Sequence, residues 1–126
     1  MNTICICKEN KKFKNIPFFL VKNLGCSVGM IRHIVLFKFK SQASQDERSA
    51  LAAQLESLKQ EIGNIRSLKV AWDVGKKPNS YDLALDSTFD TMEDVEEYAV
   101  HPSHVKVLET VKQVCESTVK VDYEEG

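Results

Sequence analysis

Hydrophobic and polar positions along this chain repeat with two different periods. From Ile31 to Lys40 the period is two. His33, Val35, Phe37 and Phe39 fall on one face, and Arg32, Ile34, Leu36 and Lys38 on the other, which predicts a strand. Ser44-Gln45-Asp46-Glu47 has the form of a capping box. Leu51, Leu55, Leu58 and Ile62 then recur at helical gaps, and Gly63 supplies a left-handed stop. Period two returns in Leu68, Val70, Trp72 and Val74, followed by turn residues from Gly75 to Ser80. In a third strand, Asp82 to Phe89, Leu83, Leu85 and Phe89 lie opposite Asp82, Ala84, Asp86 and Thr88. Asp90 or Thr91 caps a second helix carrying Val95 and Tyr98 on one face. Pro102 breaks that helix at His101 and opens a third. The third helix runs to about Glu116, with His104, Leu108, Val111 and Cys115 as its stripe. In a last strand, Ser117 to Glu124, Val119, Val121 and Tyr123 alternate with Thr118, Lys120 and Asp122.

The order strand-helix-strand-strand-helix-strand, with the second helical region broken at Pro102, predicts an α+β protein. Right-handed crossovers give a ferredoxin-like, four-stranded antiparallel sheet with its helices on one face. The first strand is apolar at mid-strand on both faces, so the second face needs a cover as well. The simplest cover is the same face of a second copy, with Ile34 and Leu36 in the seam.

Composition sets the limits. At 126 residues, 43% hydrophobic and 28% charged, the chain has one domain's worth of ordinary globular protein. A net charge of −1 argues against a nucleic-acid binder. The longest apolar run, Ile16 to Val21, is too short to span a bilayer. The charge is unevenly placed: residues 1–29 hold five lysines against Glu9, while residues 30–126 hold 12 basic and 17 acidic side chains. We therefore read 30–126 as the domain and 1–29 as an extension, joined at Val28-Gly29-Met30. The extension fits no secretory or transit signal. It is read either as a translated region upstream of a start at Met30 or as a disordered tail. Cys5 and Cys7 lack a second close Cys/His pair for a zinc site. Cys115, alone in the domain, suggests a reducing compartment such as the cytoplasm.

Three proton-competent side chains, His33, Tyr98 and His104, sit on the faces predicted to meet between helices and sheet. Buried polar groups need partners. Either these three satisfy one another or they line a wet or ligand-filled pocket. His104, in the first turn after Pro102, faces the positive end of a helix dipole and an apolar setting. Both oppose imidazolium, and a neutral imidazole is a competent general base. The contrary reading is a His–Tyr pair that only locks the helix break. Glu97, His101 and His104 have metal-like spacing, but Pro102 breaks their register, so no metal is expected. There is no phosphate-binding glycine loop, serine nucleophile elbow or dinucleotide fingerprint.

Met30-Ile-Arg-His-Ile-Val-Leu-Phe-Lys-Phe-Lys40, Tyr81-Asp-Leu-Ala-Leu85, Phe89, Tyr98-Ala-Val-His-Pro-Ser-His-Val105 and Val121-Asp-Tyr123 occur in the order of the landmarks of the Dabb family. Over about residues 30–124 the chain thus resembles a stress-responsive dimeric α+β barrel domain. The resemblance implies a ferredoxin-like protomer and a homodimer whose two sheets face each other as a barrel. Many members are stress-associated proteins, and some plant members are polyketide cyclases. In those cyclases a Tyr and the second His of the motif transfer protons without metal or organic cofactor. The matching residues here are Tyr98 and His104, with His33 as the first-strand His. A His that some cyclases carry near the start of strand three is Leu83 in this sequence.

The expectation is therefore a cofactor-free lyase, cyclase or isomerase for a small carbonyl or polyketide-like compound. His104 and Tyr98 would be its catalytic residues, and His33, Val35, Phe37, Leu83 and Leu85 its substrate contacts. The alternatives are a non-catalytic stress-associated or small-ligand-binding homodimer and, third, a small-molecule monooxygenase.

Overall fold

The strand opening at Met30 is followed by every element that the two periods predict. In a computed structural model describing residues 29–125, the order is β1 (Met30–Phe39), α1 (Gln45–Glu61), β2 (Ile65–Trp72), β3 (Leu83–Phe89), α2 (Met92–Val100), α3 (Pro102–Val114) and β4 (Cys115–Glu125). The extension, apart from Gly29, lies outside the described residues. Residues 31–123 form one compact unit, and no described helix is long and apolar enough to cross a membrane.

The strands lie in the order β2-β3-β1-β4, with β3 antiparallel to both β1 and β2. This is the ferredoxin-like sheet. Register decides what shares a face. Ile31 pairs with Phe89, His33 with Ser87, Val35 with Leu85 and Phe37 with Leu83. The partners Phe37, Leu83, Leu85 and Phe89 are all buried and meet Leu51, Leu55 and Leu58 of α1, Val95 and Tyr98 of α2, and Val107 and Val114 of α3. The predicted capping box is present: Glu47 N–H donates to Ser44 Oγ at 3.1 Å, and Glu47 Oε1 accepts from Ser44 N–H at 2.8 Å. Thr91 caps α2 in the same way, accepting from Asp94 N–H at 3.1 Å.

Among the described residues no helix covers the opposite face of the sheet. On it Ile34 and Leu36 are half-buried, and Arg32 pairs with Asp86 at 2.5 Å. On β4, Asp122 turns to the helix side, where it meets His33. By alternation, Val121 and Tyr123 turn to the open side, and they are exposed.

Several local expectations are corrected. Gly63 is not left-handed; α1 ends because Ile62 adopts an extended conformation (φ −121°) and buries its side chain. Strand β2 starts three residues earlier than the alternation suggested and stops at Trp72. An irregularity between Ile65 and Ser67 shifts its phase, which hid its start, and Val74 is left 91% exposed. Trp72 is 43% exposed and stacks on Phe39. Helix α3 ends at Val114, not near Glu116. Its buried residues are Val107 and Val114, whereas Leu108 is 42% exposed.

Candidate active site

The break between α2 and α3 builds the site. Its backbone accounting starts from Pro102, which has no N–H to give the Tyr98 carbonyl; His101 N–H takes that place at 3.1 Å. The next N–H, from Ser103, would continue α2 by donating to the Ala99 carbonyl. It donates instead to His101 Nδ1 at 3.1 Å, so His101 ends one helix and caps the next. The Ala99 carbonyl is filled by the His104 ring, whose Nδ1–H donates to it at 2.9 Å.

That bond fixes the tautomer. A carbonyl only accepts, so Nδ1 carries the hydrogen, and in the neutral ring Nε2 keeps its lone pair. Burial lowers the His104 pKa from its ordinary 6.5, as do the nearby His33 and His101, while the Ala99 bond opposes them. The net direction is down, so the ring is neutral at neutral pH.

The His104 ring lies 4.4 Å, centroid to centroid, from the Tyr98 ring. Tyr98 also packs against Phe89 at 5.1 Å and His33 at 5.7 Å. Burial pushes the Tyr98 hydroxyl up to about 12, so it remains a hydrogen-bond donor. Among the described residues that hydroxyl has no hydrogen-bond partner, and no side-chain polar atom is both buried and unpartnered. It therefore opens to the adjoining cavity.

His33, 5% exposed, is held from β4: its Nδ1–H donates to Asp122 Oδ1 at 2.5 Å. Lys120 Nζ donates to Asp122 Oδ2 at 3.2 Å. Burial alone would raise the Asp122 pKa, but the hydrogen bonds and charges of His33 and Lys120 outweigh it and hold the carboxyl below its ordinary value.

A cavity of about 410 Å³ joins these groups. His33, Val35, Phe37, Leu85, Tyr98 and His104 line it, together with Leu55, Val95, Ala99, Val107, Leu108, Val111, Thr118, Val119 and Lys120. Leu83, expected among the substrate contacts, does not. It lies on the correct face but one pleat too far along β3, buried opposite Phe37 and Trp72. The α3 stripe of His104, Leu108 and Val111 faces this cavity rather than a filled core.

Asp122 and Lys120 were missed. Their signal was the alternation on β4, which puts Asp122 on one face with Thr118 and Lys120, but without register nothing matched that face to His33. Among the described residues no three His, Cys, Asp or Glu side chains gather as metal ligands. Glu97, weighed with His101 and His104, instead accepts from Asn64 Nδ2 at 2.7 Å.

A dimeric ferredoxin-like protein from Bacteroides fragilis has a similar structure, with a TM-score of 0.68 and 34% identity, covering 77% of this chain and 97% of that one. The hydroxynitrile lyase of Passiflora edulis superposes with a TM-score of 0.72 over 79% of this chain and 96% of its own, but at 23% identity the likeness is one of fold. Olivetolic acid cyclase of Cannabis sativa is 22% identical over 95 residues, 74% of this chain and 94% of the cyclase. The family model of the stress-responsive A/B barrel domain matches residues 31–125. On that match, spanning all but the first residue of the described strands and helices, this chain belongs to the stress-responsive A/B barrel (Dabb) family.

Proposed function

We propose that this chain forms a homodimer through its open sheet face, and that the cavity of each protomer is the active site of a cofactor-free lyase, cyclase or isomerase. Its substrate is a small, largely apolar carbonyl compound. The Tyr98 hydroxyl donates to the substrate carbonyl oxygen. His104 Nε2 removes a proton from the adjacent carbon, and the C–H electron pair moves onto that oxygen as an enolate, which Tyr98 stabilises. The proton held on Nε2 returns to substrate or product, so the enzyme ends unchanged.

One observation carries this reading: the Ala99 carbonyl occupies His104 Nδ1–H while the same ring lies 4.4 Å from Tyr98 on one cavity. A base needs a free lone pair beside a donor, and this arrangement leaves both. Distant likeness to a cyclase and to the fold of a lyase supports the reaction class. The dimer is supported by the exposed Val121 and Tyr123 on the open side with Ile34 and Leu36, and by a structural neighbour described as dimeric. A cytoplasmic location belongs to the same proposal.

A second reading has its own observation. The His104–Ala99 bond satisfies a carbonyl left open by the helix break, a structural duty sufficient for a non-catalytic, small-ligand-binding dimer. Proton exchange separates the two. Acetophenone and benzoylpropionate, incubated with the protein in deuterated water, should exchange hydrogens next to the ketone faster than in buffer. His104→Ala should remove that acceleration, a loss of about 10²–10⁴-fold. No acceleration by wild type, or equal acceleration by the folded variant, rejects the enzyme reading.

A further inference from the structure

The cavity carries a charge that the proposed proton transfer does not use. Among the described residues its lining includes Lys120 but no aspartate, glutamate or arginine. Asp122, the carboxylate bonded to Lys120, has both oxygens engaged, Oδ1 by His33 at 2.5 Å and Oδ2 by Lys120 at 3.2 Å. An ammonium has three N–H donors. One Lys120 donor goes to Asp122, and among the described residues the other two have no protein partner. The side chain is 64% exposed and lines the cavity, so it stands at the rim. By alternation it shares the helix side of β4 with Asp122. The walls are otherwise mostly apolar, with Val35, Leu85, Val107 and Val111 among them. Tyr98 and His104 supply the polar groups of the proposed reaction.

We infer that the ligand of this cavity is an anion: a carbonyl compound whose carboxylate seats on Lys120 Nζ, whose apolar body lies along the wall, and whose carbonyl meets Tyr98 and His104. This rests on the cavity being the ligand site proposed above and names the chemical class it selects. A single ammonium suits one carboxylate. A phosphate is more often met by an arginine fork or a row of free backbone amides. Among the described residues no arginine lines the cavity, and the His101 ring caps the start of α3.

The test is calorimetric titration of the full chain with benzoylpropionate and with its uncharged amide. Wild type should bind the acid more tightly, by roughly 1.5- to fivefold, the range of an exposed ion pair. Added salt should narrow that gap. In Lys120→Gln the gap should close, and in Lys120→Arg it should persist. Equal affinity for acid and amide in wild type, or a gap that survives in Lys120→Gln, overturns the anion assignment and leaves the Tyr98–His104 reading standing. Binding of neither probe overturns the cavity reading itself and the anion assignment with it.

Discussion

Replacing Asp122 by alanine removes the hydrogen-bond partner of a buried histidine. His33 is 5% exposed, and its hydrogen bond to Asp122 Oδ1 is 2.5 Å long. A hydrogen bond to a charged group contributes about 1.5–3 kcal/mol, and a buried donor left without a partner costs a similar amount. The Lys120 side of the pair adds little, because that side chain is 64% exposed. The loss should therefore be about 2–3 kcal/mol, or a fall in Tm of roughly 8–20 °C for a domain of this size. Asp122→Asn keeps an acceptor and loses the charge, so it should fall between alanine and wild type.

The pH dependence has a definite sign. The folded pKa of Asp122 is held below its unfolded value, which is about 3.9. Its contribution is fully present above that unfolded value and is lost as the pH falls through the folded one. The Asp122 part of the stability gap between wild type and Asp122→Asn should shrink as the pH falls through the folded pKa. Urea unfolding followed by circular dichroism, at one fixed protein concentration, reads both effects. A loss under about 0.5 kcal/mol in Asp122→Ala, the level of an ordinary surface change, would show that the His33–Asp122 bond does not exist in solution.

Tyr98→Phe keeps the ring packing and removes a hydroxyl with no protein partner. Its stability should change little, while ketone proton exchange should fall about 10²-fold or more, as for loss of one donor to a developing oxyanion. The exchange rate should also drop in acid as His104 becomes protonated, at a pH below the ordinary imidazole value of 6.5, with no alkaline limb from Tyr98 until about 12. Ile34→Asp with Leu36→Asp places two carboxylates in the proposed seam, so light scattering should show a wild-type dimer at micromolar concentration and a monomeric or unfolded variant. A folded dimer of the double variant would place the interface elsewhere.

The fold was legible because its elements carry strong local signals. The alternation of β1, the Ser44 capping box and Pro102 each act within a few residues. The errors arose where a local rule met a tertiary demand. Gly63 was assigned the stop of α1, yet burial of Ile62 in the core set the turn. The irregularity near Ile65 broke the alternation that would have revealed the start of β2. For the site, sequence placed His33, Tyr98 and His104 on inward faces, but not what each ring would bond. The Ala99 carbonyl becomes available only because Ser103 N–H turns to His101, a consequence of three-dimensional capping. Asp122 lies 89 residues from His33 in sequence, and only the register of β4 beside β1 brings them together. The same lack of register put Leu83 in the expected site, because alternation gives the face but not the position along it.

The central claim is that His104 presents a free Nε2 lone pair beside Tyr98. A long-range proton–nitrogen correlation spectrum of the full chain at neutral pH measures this directly. His104 should show a protonated Nδ1 and an unprotonated Nε2, and a ketone that enters the cavity should shift the Nε2 resonance and no other histidine nitrogen as strongly. A His104 ring that is doubly protonated at neutral pH, or that carries its single hydrogen on Nε2, contradicts the account.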